Sequence, residues 1–359
     1  MYTLPFFEVE GVISEINALD SRDQAHPLFN IFKPKGQVAS KIKLRTMTRR
    51  AGQLRHTTWG GRAVPVTRGT IDEKFLDPAV LKVFDHLTQE DVQLFTEAEG
   101  AMAANTIEGA KAPAVVAAVD RIQRLAADIS EDMAEERHRL MVGACLGTVE
   151  ILVYDAIEAL TVDYGLTAIA SPSPAWTDAA ATIVSDIETA LDTFRDNNTR
   201  GLSATHAIHS PLLYSTYLVG NTQWNTYIKQ VPAMAQGFLR VPGGNNPFEV
   251  NGDVSQNLFG LIWVKVEGTY RAQVANAAGT YTTVARWPTN TIVLMNLAAA
   301  KPRWQMVLHP WMNPRAEINV EVKMPVVGDD VKDVTVTAFY NGIPLWEDPT
   351  CVQVWEVAA

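Results

Sequence analysis

Between Gln24 and Ile71 the sequence contains no aspartate or glutamate, although it contains ten lysine and arginine residues. The rest of the 359-residue chain is acidic: residues 1–71 hold 11 basic and 5 acidic side chains, whereas residues 72–359 hold 19 basic and 35 acidic ones. This asymmetry predicts a basic arm that lies on an acidic surface. The surface can belong to the same molecule or to a neighbouring copy, or the partner can be nucleic acid; charge alone leaves these three open.

Long apolar runs and cysteines are also scarce. The best candidate for a membrane span, residues 291–300, is shorter than the roughly 18 residues required and contains Asn296. The two cysteines, Cys145 and Cys351, have no Cys or His at metal-ligand spacing, which predicts buried thiols rather than a disulfide framework or a zinc site. Residues 1–20 contain four acidic and no basic side chains, so we expect no secretory signal.

The chain is longer than a typical single core of about 250 to 300 residues, which predicts two domains or one domain with large insertions. Prolines and a glycine punctuate residues 1–40, so we expect an extended arm there, with room for one short helix around residues 12–19. Alternating apolar residues from Lys41, together with Gly60 and Gly61, predict a long two-stranded hairpin. An isolated hairpin is only marginally stable, so this one needs a supporting surface.

Two helices are predicted after the hairpin. Thr88 and Asp91 have the spacing of a capping box, which predicts a helix to about Glu99. From Pro113 to about Cys145, apolar residues recur every three or four positions and predict an amphipathic helix of roughly 50 Å. Four carboxylates in this helix form either a solvated face or a docking strip for the basic hairpin: Glu131, Asp132, Glu135 and Glu136.

The remaining patterns predict mixed helix and strand. Thr177 is predicted to open a helix, and the composition changes between residues 202 and 313, where charges are few and aromatic residues are many. Asn341-Gly342 is interpreted as a turn between strands. Helices are predicted at 211–219 and 222–230, and strands at 149–154, 159–164, 261–266, 269–274, 281–285, 291–295, 316–326, 331–339 and 351–357.

The search for chemistry finds no catalytic motif. No G-x-S-x-G, P-loop, H-E-x-x-H or G-x-G-x-x-G sequence occurs. His206, His209 and His309 could form a metal set, but a spacing of three in an alternating stretch places His206 and His209 on opposite faces of a strand. We therefore predict no catalytic residue, no metal and no cofactor. Trp59, between Arg55 and Arg62, suits either base stacking or an interface anchor.

Taken in order, the predicted elements are an arm, a basic hairpin, a long spine helix, an inserted aromatic-rich region and a return to long strands. The motifs along this order are Leu54-Arg55 through Gly60-Gly61-Arg62, Val162-Asp163-Tyr164-Gly165 followed by Trp176-Thr177-Asp178, Pro288-Thr289-Asn290-Thr291-Ile292-Val293-Leu294, and Pro344-Leu345-Trp346-Glu347-Asp348-Pro349 before a strand from Val352 to Val357. With these motifs the sequence resembles the major capsid proteins of lambda-type tailed bacteriophages, which have the Hong Kong 97 fold. The resemblance covers nearly the whole chain.

The resemblance implies an α+β fold with an N-terminal arm (1–40), an E-loop hairpin (41–78), a P-domain with the spine helix (79–200), an A-domain (201–315) and return strands of the P-domain (316–359). It also implies a structural subunit of an icosahedral phage head, assembled in the host cytoplasm into hexamers and pentamers that enclose double-stranded DNA without specific binding. The implied partners are further copies of the chain, a scaffolding protein, a portal and, where one is present, a decoration protein.

The resemblance further implies where neighbouring copies meet. The E-loop is expected to lie across the next copy through Arg45, Arg49, Arg50, Arg55, Trp59, Arg62 and Arg68, with the acidic helix face Glu131, Asp132, Glu135 and Glu136 as the accepting surface. The loop at the capsomer centre is expected at Gly243, Gly244, Asn245 and Asn246.

Two departures and two alternatives accompany the resemblance. Residues 52–68 contain arginine but no lysine, so we expect no Lys–Asn crosslink of the kind some relatives form. No acidic helical prosegment precedes the arm, so we expect a separate scaffolding protein. The alternatives are an encapsulin-like compartment shell and a nucleic-acid-binding protein that uses the basic segment 33–68.

Overall fold

The computed structural model describes most of the 359-residue chain. The described residues are 27–37, 42–47, 71–76, 79–103, 113–151, 160–198, 200–218, 220–224, 226, 257–273, 281–307, 319–323 and 334–358. Within these ranges the chain forms five α-helices and 17 strands, as expected for an α+β protein.

The helices in the described ranges differ greatly in length. They are α1 (Pro27–Ile31), α2 (Gln89–Ala103), α3 (Pro113–Leu146), α4 (Ile183–Asn197) and α5 (Leu297–Ala300). A π-helical turn (Tyr214–Leu218) and a short 3-10 turn (Pro349–Cys351) accompany them. Helix α3 has 34 residues and spans about 51 Å at 1.5 Å per residue, so the predicted long helix is confirmed.

The strands form two larger sheets and three two-stranded ladders in the described part of the chain. In chain order they are β1 (Lys33–Gln37), β2 (Ile42–Met47), β3 (Ile71–Leu76), β4 (Ala79–Leu87), β5 (Thr148–Ile151), β6 (Leu160–Asp163), β7 (Thr167–Ile169), β8 (His206–His209), β9 (Asn257–Leu258), β10 (Leu261–Lys265), β11 (Thr269–Gln273), β12 (Tyr281–Ala285), β13 (Thr291–Met295), β14 (Arg303–Val307), β15 (Asn319–Lys323), β16 (Val334–Leu345) and β17 (Val352–Glu356).

The five-stranded sheet joins segments from both ends of the chain. Its order is β1-β14-β16-β15, and β4 also pairs with β16. Strand β16 runs antiparallel to β4 from Val334 to Gly342, and antiparallel to β14 from Gly342 to Leu345. The interpretation of Asn341-Gly342 as a turn is therefore wrong, because both residues lie inside one continuous strand whose partners are distant in sequence.

The six-stranded sheet has the order β7-β17-β13-β8-β10-β9 and separates two cores. Side chains of successive strand residues point to opposite faces. In β13, Ile292 and Leu294 belong to the core that contains α4, whereas Val293 and Met295 belong to the core that contains α3. The burial of all five β13 residues follows from this position between the two cores.

Helix α3 organises the larger core. One stripe of the helix is buried, and it comprises Val115, Ala118, Leu125, Ala126, Ile129, Met133, Leu140 and Met141. Each fully buried Leu, Ile or Met contributes about 1.5–3 kcal/mol relative to an exposed position. The predicted 3.6-residue periodicity is thus the packing face of the helix.

The first turn of α2 is capped and tied to α3. The Thr88 backbone N–H donates to Asp91 Oδ2 (2.9 Å), and the Asp91 N–H donates to Thr88 Oγ1 (3.3 Å), which confirms the predicted capping box. Arg121 of α3 donates from Nε to Asp91 Oδ1 (2.9 Å). Partial burial raises the pKa of Asp91, but hydrogen bonds from Arg121 and Thr88 outweigh this and hold the pKa below 3.8.

Residues 27–37 of the predicted extended arm are anchored in the body of the molecule. The sequence did not predict helix α1, whose Leu28, Phe29 and Ile31 are buried. Strand β1 then joins β14 in parallel, with Lys33 opposite Arg303. The apolar residues of this segment explain the difference, because they enter the core of α3 instead of remaining extended on the surface.

An aromatic cluster around buried Arg137 of α3 fixes this anchor. The guanidinium carbon of Arg137 lies 4.8 Å from the ring centroid of Phe29 and 5.7 Å from that of Trp304. The ring of Phe32 packs edge-on against Trp346 with centroids 4.7 Å apart. Desolvated cation–π contacts contribute about 2 kcal/mol, so the cluster joins α1, α3 and β14 strongly.

Helix α4 covers the other face of the six-stranded sheet. Ile183, Ile187 and Phe194 are buried on one face of this helix. The helix begins at Ile183, however, and not at Thr177. Residues 177–180 form a turn instead, because the Asp178 carboxylate accepts the Ala180 N–H (2.9 Å).

Both cysteines are free and buried, as the sequence predicts. Burial raises the pKa of the Cys351 thiol to about 11, and it raises the pKa of Cys145 further. Neither thiol is therefore a reactive thiolate at neutral pH.

Gly342 is required by the close approach of Trp304. A Cβ atom at Gly342 would lie 2.7 Å from Trp304 Cε2, so we expect Gly342→Ala to lower the free energy of unfolding by about 1–3 kcal/mol. The control is Gly100→Ala in α2, where no atom lies within 4 Å and alanine should stabilise the helix by up to about 1 kcal/mol. Urea unfolding of the dissociated protein measures both; a neutral Gly342→Ala would contradict this packing.

Candidate functional site

The structure describes the part of the basic hairpin that is nearest to the body of the protein. Strands β2 and β3 pair antiparallel over six residues each, from Ile42 opposite Leu76 to Met47 opposite Ile71. Four residues separate β1 from β2, and two separate β3 from β4. Because β1 and β4 belong to the same five-stranded sheet, both ends of the hairpin are attached to one body.

Of the seven hairpin residues expected at an interface, only Arg45 lies among the described residues. It is opposite Glu73 in the ladder. Asp72 and Glu73 are the first acidic residues after the acid-free segment. The other six lie outside the described residues: Arg49, Arg50, Arg55, Trp59, Arg62 and Arg68.

The acidic face of α3 is present in the structure and accessible. Glu131 and Asp132 are exposed, and Glu135 is half-buried. Glu136 differs from them, because Arg139 donates to both of its carboxylate oxygens (2.7 and 2.6 Å) and neutralises it within the helix. Because Glu136 is neutralised, the group of unpaired carboxylates on α3 is smaller than the four that the sequence predicts.

Asp128 belongs to the same face but was missed by the sequence analysis. It is exposed and precedes Glu131 and Asp132 by three and four residues, which places the three carboxylates together on a helix. The same spacing is visible in the sequence and could have predicted that Asp128 belongs to this face. In the described part of the chain no ion pair involves Asp128, Glu131, Asp132 or Glu135.

The electrostatics of this face show mutual repulsion. Partial burial raises the pKa of Asp132 above 3.8, and the neighbouring charges of Glu131 and Asp128 raise it further. The basic residues on the first half of α3 do not relieve this, because Arg121 pairs with Asp91 (2.9 Å) and Arg124 pairs with Asp120 (2.7 Å). A cation from outside the chain would reduce the repulsion among these carboxylates.

The expected capsomer-centre loop, Gly243, Gly244, Asn245 and Asn246, lies outside the described residues. The segment that leads towards it is firmly attached. Asn221 Nδ2 donates to the Ala181 carbonyl (3.0 Å), and its Oδ1 accepts the backbone N–H of buried Trp224 (2.9 Å).

The described residues offer little for catalysis or metal binding. They contain no group of three or more His, Cys, Asp or Glu residues arranged around a metal position. His206 and His209 lie on β8, and His209 is buried with Nδ1 2.8 Å from the Ser210 carbonyl; His309 lies outside the described residues. Across these same ranges, every helix is too short or too polar to cross a membrane.

One cavity of about 240 Å³ lies beside α4, lined in part by Ile169, Asp186 and Trp355. The Asp186 carboxylate accepts Trp176 Nε1–H (3.0 Å) and the Thr182 hydroxyl (3.1 Å), which satisfies it. This carboxylate therefore has a structural role at the start of α4.

Comparison with known proteins agrees with the fold. The family model described as phage major capsid protein E matches residues 20–306. A prophage protein from Escherichia coli CFT073, assigned as a capsid protein, has a crystal structure with a TM-score of 0.57 and 14% identity, covering 98% of this chain and 99% of that chain. This likeness confirms the expected capsid fold.

Two further structures match with lower scores. The capsid of a native GTA particle has a TM-score of 0.46 and 11% identity over 92% of this chain and 90% of that chain. A virus-like particle from Pyrococcus furiosus has a TM-score of 0.44 and 9% identity over 96% and 98%. No curated protein matches the sequence.

Asp132→Asn should stabilise the isolated chain at neutral pH by about 0.2–0.5 kcal/mol, because it removes a repulsive i,i+4 contact with Asp128. The folded-state pKa of Asp132 is raised, so the folded form binds the proton more readily and wild-type stability rises as pH falls through that pKa. The difference between variant and wild type should therefore shrink as pH falls and vanish below about 3.8.

Urea unfolding at several pH values measures this difference. The matched control is Asp120→Asn on the same helix, which removes the ion pair with Arg124 and should not stabilise. An Asp132→Asn variant that is less stable than wild type at pH 7 would show that the face is not repulsive.

Proposed function

Because this chain belongs to the phage major capsid protein E family, we propose that it builds the shell of a phage head by head-to-tail contacts, with the basic hairpin of one copy on the acidic face of α3 in the next. The chain is a structural protein of the virion capsid and not an enzyme. The observation that carries the proposal is the accessible, unneutralised group of carboxylates on α3, in a chain that has ten basic and no acidic residues between Gln24 and Ile71.

The attachment of the hairpin supports this arrangement. The connections at residues 38–41 and 77–78 are short, and an extended chain spans at most about 3.5 Å per residue. The two ends of the hairpin therefore stay close to the five-stranded sheet. A basic segment held in this way reaches a neighbour in a defined direction. A freely moving tail would lose more conformational entropy on binding.

The charges on the accepting face support it as well. Asp128, Glu131 and Asp132 repel one another in the isolated chain, and arginine side chains from a second copy would remove that repulsion. An exposed ion pair contributes only about 0–1 kcal/mol, so a single contact is weak. Summed over the many copies of a shell, and added to buried apolar surface, such contacts hold the assembly together.

A contact between two different surfaces of the same chain is heterologous and closes into rings when the rotation permits. We therefore propose hexamers and pentamers, with the A-domain (201–315) towards the ring centre and double-stranded DNA enclosed without specific binding. Assembly in the host cytoplasm with a scaffolding protein, a portal and, where one is present, a decoration protein completes the proposal. The absence of lysine from residues 52–68 favours a non-covalent shell.

Charge exchange tests the contact. We expect Arg55→Glu/Arg62→Glu, or Glu131→Lys/Asp132→Lys, to raise the protein concentration needed for shell formation about tenfold, which corresponds to about 1.4 kcal/mol per contact. Combining all four substitutions should restore much of the assembly, because the opposite charges face each other again. Negative-stain electron microscopy and light scattering measure the yield of shells.

The control is Asp192→Lys, an exposed reversal on α4 that lies away from the proposed contact. It should assemble like wild type. Failure of the combined variant to recover any assembly, while each double variant folds normally, would rule out direct pairing between the hairpin and α3.

A further inference from the structure

A second basic surface lies at the edge of the five-stranded sheet. We define it as the β1–β14 patch, and it consists of Lys33 and Lys35 on β1, Arg303 on β14, Lys301 just before β14, and one acid, Glu347. Lys33 and Lys35 are exposed, and the side chain of Lys301 is 58% exposed. None of its residues belongs to the expected hairpin (41–78) or to the acidic face of α3.

The geometry brings these cations together. The ladder places Lys33 opposite Arg303, and paired residues of neighbouring strands point to the same face. Arg303 and Lys301 share a counter-ion: Glu347 lies 3.2 Å from Lys301 Nζ and 4.0 Å from Arg303. Trp304, the residue after Arg303, points into the core towards Arg137, so Arg303 points away from it.

The patch has an excess of positive charge. Its four cations face a single carboxylate in the described part of the chain, which leaves a net charge of three. The adjacent carboxylate of Asp348 does not reduce the excess, because it pairs with Arg200 (3.1 Å). Such a concentration differs from the remainder of an acidic body and fits an anionic ligand.

The surroundings favour a phosphate backbone over a protein surface. The exposed large apolar residues among those described are Val116, Val119 and Leu212, and none of them belongs to β1, β14 or the segments that carry the patch. The buried centre of a protein interface is enriched in apolar residues and depleted of charged ones. Pro34, between the two lysines, has no N–H and disfavours addition of another strand at this edge. Phosphate contacts need only the cationic side chains.

We propose that the β1–β14 patch binds the phosphodiester backbone of the DNA enclosed by the shell. The inference rests on the proposed function, because it requires that the shell encloses DNA. With a net charge of three, the contact is weak, independent of base sequence and easily broken by salt, so it does not hinder packaging or release. Lysines on an edge strand also discourage aggregation, but that role does not involve Lys301 or Arg303.

The test is the salt dependence of DNA binding. The probe is a fluorescent duplex of about 20 base pairs, and the binding constant is measured by anisotropy from about 25 to 200 mM NaCl. Each lost phosphate contact lowers the magnitude of the negative slope of log K against log salt by about 0.9, so Lys33→Gln/Lys35→Gln should lower it by about 1–2. Lys301→Gln should lower it by up to about 1. Because the hairpin arginines are unchanged, residual binding is expected in every variant.

Arg195→Gln is the control, since Arg195 is a half-exposed cation on α4 that already pairs with Asp192. It should leave the slope unchanged. Shell formation is measured in parallel by electron microscopy, so that failure of the proposed assembly is seen separately from failure of the DNA contact. Unchanged slopes in both lysine variants would overturn the inference, and so would loss of shells with unchanged DNA binding, which would place these cations between copies.

Discussion

The packing of α3 against the five-stranded sheet is the constraint on which the rest of the structure depends. A helix of 34 residues has an apolar stripe too long for neighbouring sequence to cover. Its partners therefore come from both ends of the chain: the arm at α1, and the late strands β14 and β16. The arrangement has a functional consequence. Because β1 and β4 belong to this sheet, the packing that buries α3 also holds the two ends of the hairpin.

Acidic and basic residues lie on different elements of this architecture. The buried side of α3 contains Arg137 inside an aromatic cluster, whereas the exposed side presents Asp128, Glu131 and Asp132, which form no ion pair with any described residue. Residues 24–71, which include most of the hairpin, have the opposite charge and no acidic residue. In the proposed head-to-tail contact, these complementary charges meet when a second copy is present. Because each such contact is weak, a subunit that binds in the wrong position can dissociate during assembly.

Local patterns predicted those elements whose causes are local. The period of α3, the capping box at Thr88 and the strand patterns at 281–285 and 291–295 gave bounds close to the observed ones. Long-range packing caused the errors. Gly342 has the local signal of a turn, but it lies in β16, where it pairs with β4 and β14. Glycine is required there because Trp304 leaves no room for a side chain. In the site, the acidic face was predicted, yet neutralisation of Glu136 by Arg139 depends on rotamers that composition does not reveal.

Disulfide trapping between two variants tests the head-to-tail contact most directly. One variant carries Arg62→Cys in the hairpin and the other carries Glu131→Cys on α3; the native Cys145 and Cys351 are buried and should not react. Shells assembled from the mixture should give disulfide-linked dimers on oxidation, whereas shells of either variant alone should not. Shells that form normally but yield no dimers in the mixture, or equal dimers in a single variant, would contradict the account.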